Sequence, residues 1–252
     1  DGKALAHRLI SAVGEPGIGS RLAHVATDGE TYGHHHRHGE MALAVALETI
    51  DADPEAKLTN YSEFLSLAPP TLRAAIVEDS SWSCAHGVER WRADCGCHTG
   101  REPTGHQRWR GPLRSALDWL RDELISPFES MGAELLEDPW QARDDFISVV
   151  LSGSVEDFLE KHARPGLDTD QRARAIEHLQ VQEHAMLMYT SCGWFFDDIS
   201  GLEAVFVLRH AGRVCELVRQ VLAVDLEPEL KARLEAAPSN LEGVNGRVVY
   251  ER

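Results

Sequence analysis

The chain has little basic charge. Its 252 residues carry 25 Lys and Arg against 41 Asp and Glu, a net charge of -16. Phosphate backbones need a concentrated basic face, so no nucleic-acid partner is expected, and no docking to an anionic membrane. No apolar run approaches the roughly 20 residues that span a bilayer, and a soluble, cytoplasmic protein is expected. A paired cysteine framework is also missing. The five cysteines are odd in number and unevenly placed, with Cys84, Cys95 and Cys97 clustered and Cys192 and Cys215 apart, which reads as reduced thiols. Internal repeats and low-complexity segments are absent.

What the chain does have is enough apolar material, 43%, for a sizeable core. "GKALAHRLISAVG" reads as a helix stopped at Gly14, and "GEMALAVALETI" as a second. "RLAHVATD", "AKLTN" and "RAAIVED" read as strands, with "YSEFLSLA" a short helix closed by Pro69 and Pro70. Alternating strands and helices predict a parallel sheet. Residues 81–111 show no period, yet hold Trp82, Trp91 and Trp109, which argue for order in a long connector. Beyond Pro112 the pattern is helical. Leu113, Leu117, Leu120 and Leu124 recur at helical spacing, and Asp168 and Thr169 are candidate N-caps. The fold expected is mainly α: the end of an α/β barrel over 1–80, a Trp/Cys/His-rich connector over 81–111, and a helical bundle over 112–252. The chain starts at Asp1 without Met, and a C-terminal fragment of a longer protein is expected.

Three stretches carry chemistry. In "HVATDGETYGHHHRHGEMALAVAL", Asp28 falls where a buried strand is expected to end, the position that faces ligands in α/β folds. A carboxyl there, with Glu30 beside it, suits a general acid; the plainer alternative is a polar turn before the helix. The histidines could hold a metal, pairing His34 with His36 if extended or with His38 if helical. Hydrogen bonding of His34 or His35 to a polar substrate is the competing reading. In "SSWSCAHGVERWRADCGCHTG", Cys84, Cys95, Cys97 and His98 match no common zinc spacing, and small buried cysteines in a tight loop explain them too. Trp82, His86, Glu89, Trp91 and Asp94 combine flat aromatic faces with hydrogen-bonding groups, the chemistry of a sugar site, or else form a Trp-stabilised loop. In "MLMYTSCGWFFDDISGLEAVFVLRHAGR", Trp194, Phe195, Phe196, Asp197 and Asp198 interrupt two helices, with Tyr189 nearby. A core aromatic cluster beside two caps is favoured there over a cleft, and Met186 and Met188 are expected in the core.

"TDGETYGHHHRHGEMALA" resembles the D-G-E-x-[FY]-G segment of family 57 glycoside hydrolases. The other two stretches look like a bacterial, amylase- or mannosidase-like branch of that group, in which a barrel precedes a helical domain of unassigned function. The resemblance implies a retaining glycoside hydrolase or glucanotransferase acting on α-linked glucan-type oligo- or polysaccharide. Asp28 then matches the general acid/base, and Glu30, Tyr32, Gly33 and His34 its local frame. Such enzymes use a second carboxylate as nucleophile. The family's glutamate precedes the D-G-E motif on a strand. The only glutamate before Asp28 is Glu15, in a "GEPG" turn, so the nucleophile is expected upstream of this fragment, which alone is expected to be inactive. Expected sugar contacts are Glu30, His34, His35, Trp82, His86, Trp91, Trp194, Asp197 and Asp198. No cofactor is required and no metal is assigned. Two rivals stand: a metal-dependent hydrolase using the His/Cys cluster, and a non-catalytic carbohydrate-binding module.

Overall fold

The computed structural model describes residues 1–13, 21–100 and 105–252. The expected helix stop at Gly14 and the "GEPG" turn with Glu15 lie outside them. The chain divides into two compact units, Asp1–Ile76 and Val77–Arg252.

The first unit pairs α1 (Gly2–Val13) with α2 (Gly39–Asp51) and adds the short α3 (Tyr61–Leu67). The two longer helices approach closely because Gly2 has no side chain: a Cβ there would lie 2.3 Å from the Ala42 carbonyl oxygen. Ala6, Ala46 and Ile50 form a thin buried core, flanked by Leu5, Leu9, Ile10 and Ala56. Asn60 caps α3 by accepting a hydrogen bond from the Glu63 N–H at 3.0 Å.

The three expected strands do not form; among the described residues there is no strand and no end of a barrel. Residues 21–28, 56–60 and 73–79 run without ladder partners, and among the described residues of the first unit the only pairing is an isolated bridge between Tyr32 and His36. The reason is that a strand exists only against another strand. Without one, β-branched residues have no pleated surface to pack on, and here Leu22, Val25, Leu72 and Ile76 are exposed, Leu72 by 90%.

The described residues of the second unit are all helix and loop. They form a 3-10 turn (Glu89–Trp91) and then α4 (Arg110–Leu135), α5 (Pro139–Asp145), α6 (Ile147–Ser152), α7 (Val155–His162), α8 (Thr169–Leu187), α9 (Cys192–Phe195), α10 (Leu202–Leu222), α11 (Glu227–Leu234) and α12 (Gly246–Tyr250). One buried cluster joins Leu113, Leu117, Leu120 and Leu124 of α4 to Val181 and Ala185 of α8, Val207, Leu208 and Val214 of α10, and Leu230 and Leu234 of α11. A second joins Phe128 and Leu135 of α4 to Phe146, Phe158, Leu159 and, from α8, Ala175 and Leu179. So α4 and α8 each run through both cores, and Pro127 of α4 sits at the boundary between them. Each buried Leu or Phe contributes roughly 1.5–3 kcal/mol.

Local signals set the helix ends. Asp168 caps α8 in a reciprocal box with Gln171, the two backbone–side-chain bonds measuring 2.8 and 3.0 Å. Thr169, the other candidate, is the first helical residue. The helical run that begins at Pro139 is interrupted at Phe146, and Gly153, whose φ of 72° is left-handed, ends α6. Met188 is buried as expected, whereas Met186 is exposed.

Burial also stores a pH dependence. His162, His178, His184 and His210 are all held below the ordinary value of 6.5, in each case chiefly by desolvation. His178 is packed against Phe128 with ring centroids 5.5 Å apart, and the Nδ1 atoms of His184 and His210 are 2.8 Å apart. The unfolded chain therefore binds protons that the folded chain refuses. Stability is complete above pH 6.5 and falls as pH drops below it, by up to about 1.4 kcal/mol per pH unit from His178 alone. Urea unfolding between pH 8 and pH 5.5 should show this slope, and His178→Leu should flatten it.

Candidate functional site

The D-G-E-T-Y-G-H-H-H segment folds as a compact, self-bonded turn. Asp28 accepts the Thr31 N–H through its backbone oxygen at 3.0 Å, and the N–H groups of His35 and His36 donate to the carbonyls of Glu30 and Thr31, both at 3.1 Å. Gly33 has a φ of 112°, a conformation that other residues rarely adopt. Gly39 eases a close approach, since a Cβ there would crowd the Tyr32 Cα at 3.1 Å. His38, left-handed with a φ of 61°, leads into α2.

This geometry aims the polar side chains outward. Asp28 is exposed, and among the described residues its carboxylate has no partner. Glu30 is engaged: its Oε2 lies 3.0 Å from His34 Nδ1 and 3.9 Å from His35 Nε2. Neither sequence expectation for the histidine pairs, His34 with His36 or His34 with His38, describes the result. The segment is neither extended nor helical but a turn, so the adjacent His34 and His35 both reach one carboxylate. Glu30, His34 and His35 could offer three ligand atoms to a metal, but all three are exposed, and bare surface carboxylate–histidine groups are weak sites without outer support.

In the second unit, residues 80–100 and 105–109 wrap the start of α4 and the α9–α10 junction. Trp91 donates its indole N–H to the Ser191 carbonyl at 3.0 Å. Asp94 accepts the Gln107 N–H at 3.0 Å, and Glu89 pairs with Arg92 at 3.8 Å. Trp82 is 85% exposed, its ring centroid 6.2 Å from that of Phe195. Trp194 is only 1% exposed and donates its indole N–H to the Arg110 carbonyl at 3.2 Å. Asp197, buried, accepts both the N–H and the hydroxyl of Thr99 at 2.7 Å. Asp198 accepts from Ser200, Ser239 and Asn240. Its carboxyl is held below 3.8: burial pushes it up, and the donors around it more than reverse that. Trp194, Asp197 and Asp198 are thus committed to holding the helix junction, the arrangement favoured over a cleft.

Within the same segment Cys84, His86, Cys95 and Cys97 bring four ligand atoms within 4.8 Å of one another. The sequence had grouped His98 with the cysteines and placed His86 among sugar contacts; His98 is exposed and outside the cluster. The Cys84 thiol is lowered from 9.0 to about 7. Burial alone would raise it, and the N–H groups of His86 and Arg90 outweigh that. Cys95 is pushed up by burial. Beside the cluster stands Arg110, fully buried, with its Nη1 2.9 Å from the Cys97 carbonyl and 3.9 Å from Cys95 Sγ. Its Nη2 reaches the carbonyls of Phe195 and Phe196. Sequence reading missed Arg110 and Asn240, because an arginine opening an amphipathic helix and an asparagine in a loop both read as surface. The one available hint was that Arg110 directly follows Trp109 inside an otherwise apolar periodicity.

Among the described residues no helix is long and apolar enough to cross a membrane. Residues 105–252 match the model of a family described as a domain of unknown function, DUF3536. No curated protein and no solved structure matches the chain.

Proposed function

The chain belongs to the DUF3536 family, and from that premise we propose that it is the C-terminal part of a retaining glycoside hydrolase or glucanotransferase acting on α-linked glucan-type carbohydrate. DUF3536 domains occur in the C-terminal region of family 57 glycoside hydrolases, which supports the reading. The observation that carries it is the Asp28 carboxylate, presented to solvent without a partner among the described residues on a turn that Gly33 and Gly39 hold in shape. An acid/base needs that freedom, because it must give a proton to the leaving glycosidic oxygen and then take one from the incoming water or sugar hydroxyl.

Glu30, tied to His34 and His35, frames the turn and is assigned to hydrogen bonds with sugar hydroxyls. The nucleophile is a carboxylate about 5–5.5 Å from Asp28 in the working enzyme, supplied by sequence other than the described residues. The thin core of the first unit, with Leu72 and Ile76 exposed, supports a unit completed by further chain. Trp82, with its open ring, remains the aromatic assigned to sugar stacking.

The test uses the full-length protein, wild type and Asp28→Asn, incubated with α-glucans and aryl glycosides and followed by product chromatography. Wild type should cleave or transfer, and Asp28→Asn should lose most of that activity while unfolding at the same temperature. Equal behaviour of the two proteins would make Asp28 a turn residue and leave a carbohydrate-binding module as the reading.

A further inference from the structure

We propose that Cys84, His86, Cys95 and Cys97 form a closed, structural zinc site that staples the connector to the helical unit. The distances carry the argument. Cys84 Sγ lies 3.9 Å from Cys95 Sγ and 3.7 Å from Cys97 Sγ, and Cys97 Sγ lies 3.6 Å from His86 Nδ1. A tetrahedron around zinc, with bonds of about 2.3 Å to sulfur and 2.0–2.1 Å to nitrogen, has edges of about 3.8 Å between sulfurs and about 3.6 Å between sulfur and nitrogen. A disulfide needs about 2.05 Å, and all five cysteines are free. Three of the six separations thus match tetrahedral edges and the other three lie within 4.8 Å, and three sulfurs with one imidazole nitrogen are the ligand set of a metal that prefers thiolate and imidazole.

Charge supplies an independent argument. Arg110 is 0% and Arg90 4% exposed, and the buried Asp197 carboxylate offsets part of the Arg110 charge while Arg90 opposes it. Two buried cations side by side are costly unless anions balance them. Neutral thiols would add no further charge. Zinc bound by three thiolates and a neutral imidazole carries a net charge of -1, directly beside the Arg110 guanidinium. Arg110 in turn supplies the outer support such sites use, bonding the Cys97 carbonyl and approaching Cys95 Sγ.

The backbone is shaped for the site. The ligands come as two pairs one residue apart, Cys84 with His86 and Cys95 with Cys97. Gly87 and Gly96, with φ of 77° and 78°, turn the chain within or just after each pair. Gly87 cannot be replaced, since a Cβ there would lie 2.2 Å from the Asp79 oxygen. Four protein ligands leave no open position, so the metal holds structure and performs no catalytic step. On binding, each cysteine releases its thiol proton to solvent and donates as thiolate.

The test is elemental analysis of the full-length protein purified without chelator. About one zinc per chain is expected, retained in His98→Ala and Cys192→Ser and lost in Cys95→Ser and His86→Ala. Should the ligand variants fail to fold, two measurements on the unsubstituted protein decide. Cobalt(II) added to chelator-stripped protein should produce thiolate charge-transfer and tetrahedral d–d bands that zinc abolishes. Chelation should also expose three further thiols to an alkylating reagent beyond Cys192. Absence of bound metal together with no cobalt spectrum, iron in place of zinc, or equal zinc in wild type and Cys95→Ser would each overturn the assignment.

Discussion

Asp198→Asn is expected to destabilise the helical unit by about 2–4 kcal/mol. One carboxylate oxygen accepts the Ser200 N–H at 2.9 Å and the hydroxyls of Ser200 and Ser239 at 2.7 and 2.8 Å; the other accepts the N–H of Asn240 at 2.6 Å and its side-chain amide at 3.0 Å. Asparagine keeps one acceptor and puts an NH2 group where the other stood. Hydroxyls can rotate to accept it, but an N–H cannot, so at least one donor is orphaned in either orientation. Each orphaned donor costs about 1–3 kcal/mol, and the bonds lost are to a charged acceptor. Because the folded carboxyl lies below 3.8, its contribution is complete above that pH and is lost as pH falls through the folded value. The gap between wild type and variant in urea unfolding should therefore persist at pH 7 and shrink below pH 3.8. A residue reserved for sugar would behave in the opposite way, with unfolding unchanged and carbohydrate affinity reduced.

Trp194→Ala should cost about 3–5 kcal/mol, the largest effect of any single truncation we expect. The indole is 1% exposed and lies parallel to the Tyr189 ring, centroids 6.3 Å apart at 5°. Its N–H satisfies the Arg110 carbonyl. Truncation opens a cavity between α4 and α10 and removes that donor where water cannot easily replace it. Trp194→Phe keeps most of the apolar contact and should recover more than half of the loss. Chemical denaturation of the three proteins decides the matter, and a Trp194→Ala protein of wild-type stability would show that the aromatic cluster packs only loosely.

The contrast between the two units explains what could be read in advance. The leucines of α4 recur at helical spacing, and a helix needs only its own chain to satisfy its backbone, so α4 was legible to within two residues of its start. Asp168 was legible for the same reason, since a cap bonds within its own first turn. "RLAHVATD" was not, because a strand is a property of two segments and its composition says nothing about whether a partner is present. The cysteine cluster failed differently. Cys97 and His98 are adjacent, but the loop leaves His98 exposed, and the fourth donor of the cluster is His86, eleven residues before Cys97. Linear motif matching favours the neighbour; the fold of the loop brought in the more distant residue. For Asp28 and Glu30 the turn was only the alternative to a strand end, and the places of Gly33 and Gly39 follow from a left-handed backbone and a close approach that the sequence does not display.

The sharing of α4 and α8 between both cores has a consequence for how the helical unit opens. Neither core can come apart without bending a helix that the other holds, so sub-global opening of either half is penalised and amide protons in both should exchange through one common event. The seam is the exception. Pro127 has no N–H to close the helical ladder at that point, and Phe128 and His178 meet there at the junction of the cores. Breathing of the molecule is therefore concentrated in a single turn of α4, with the helices on either side moving as stiff arms.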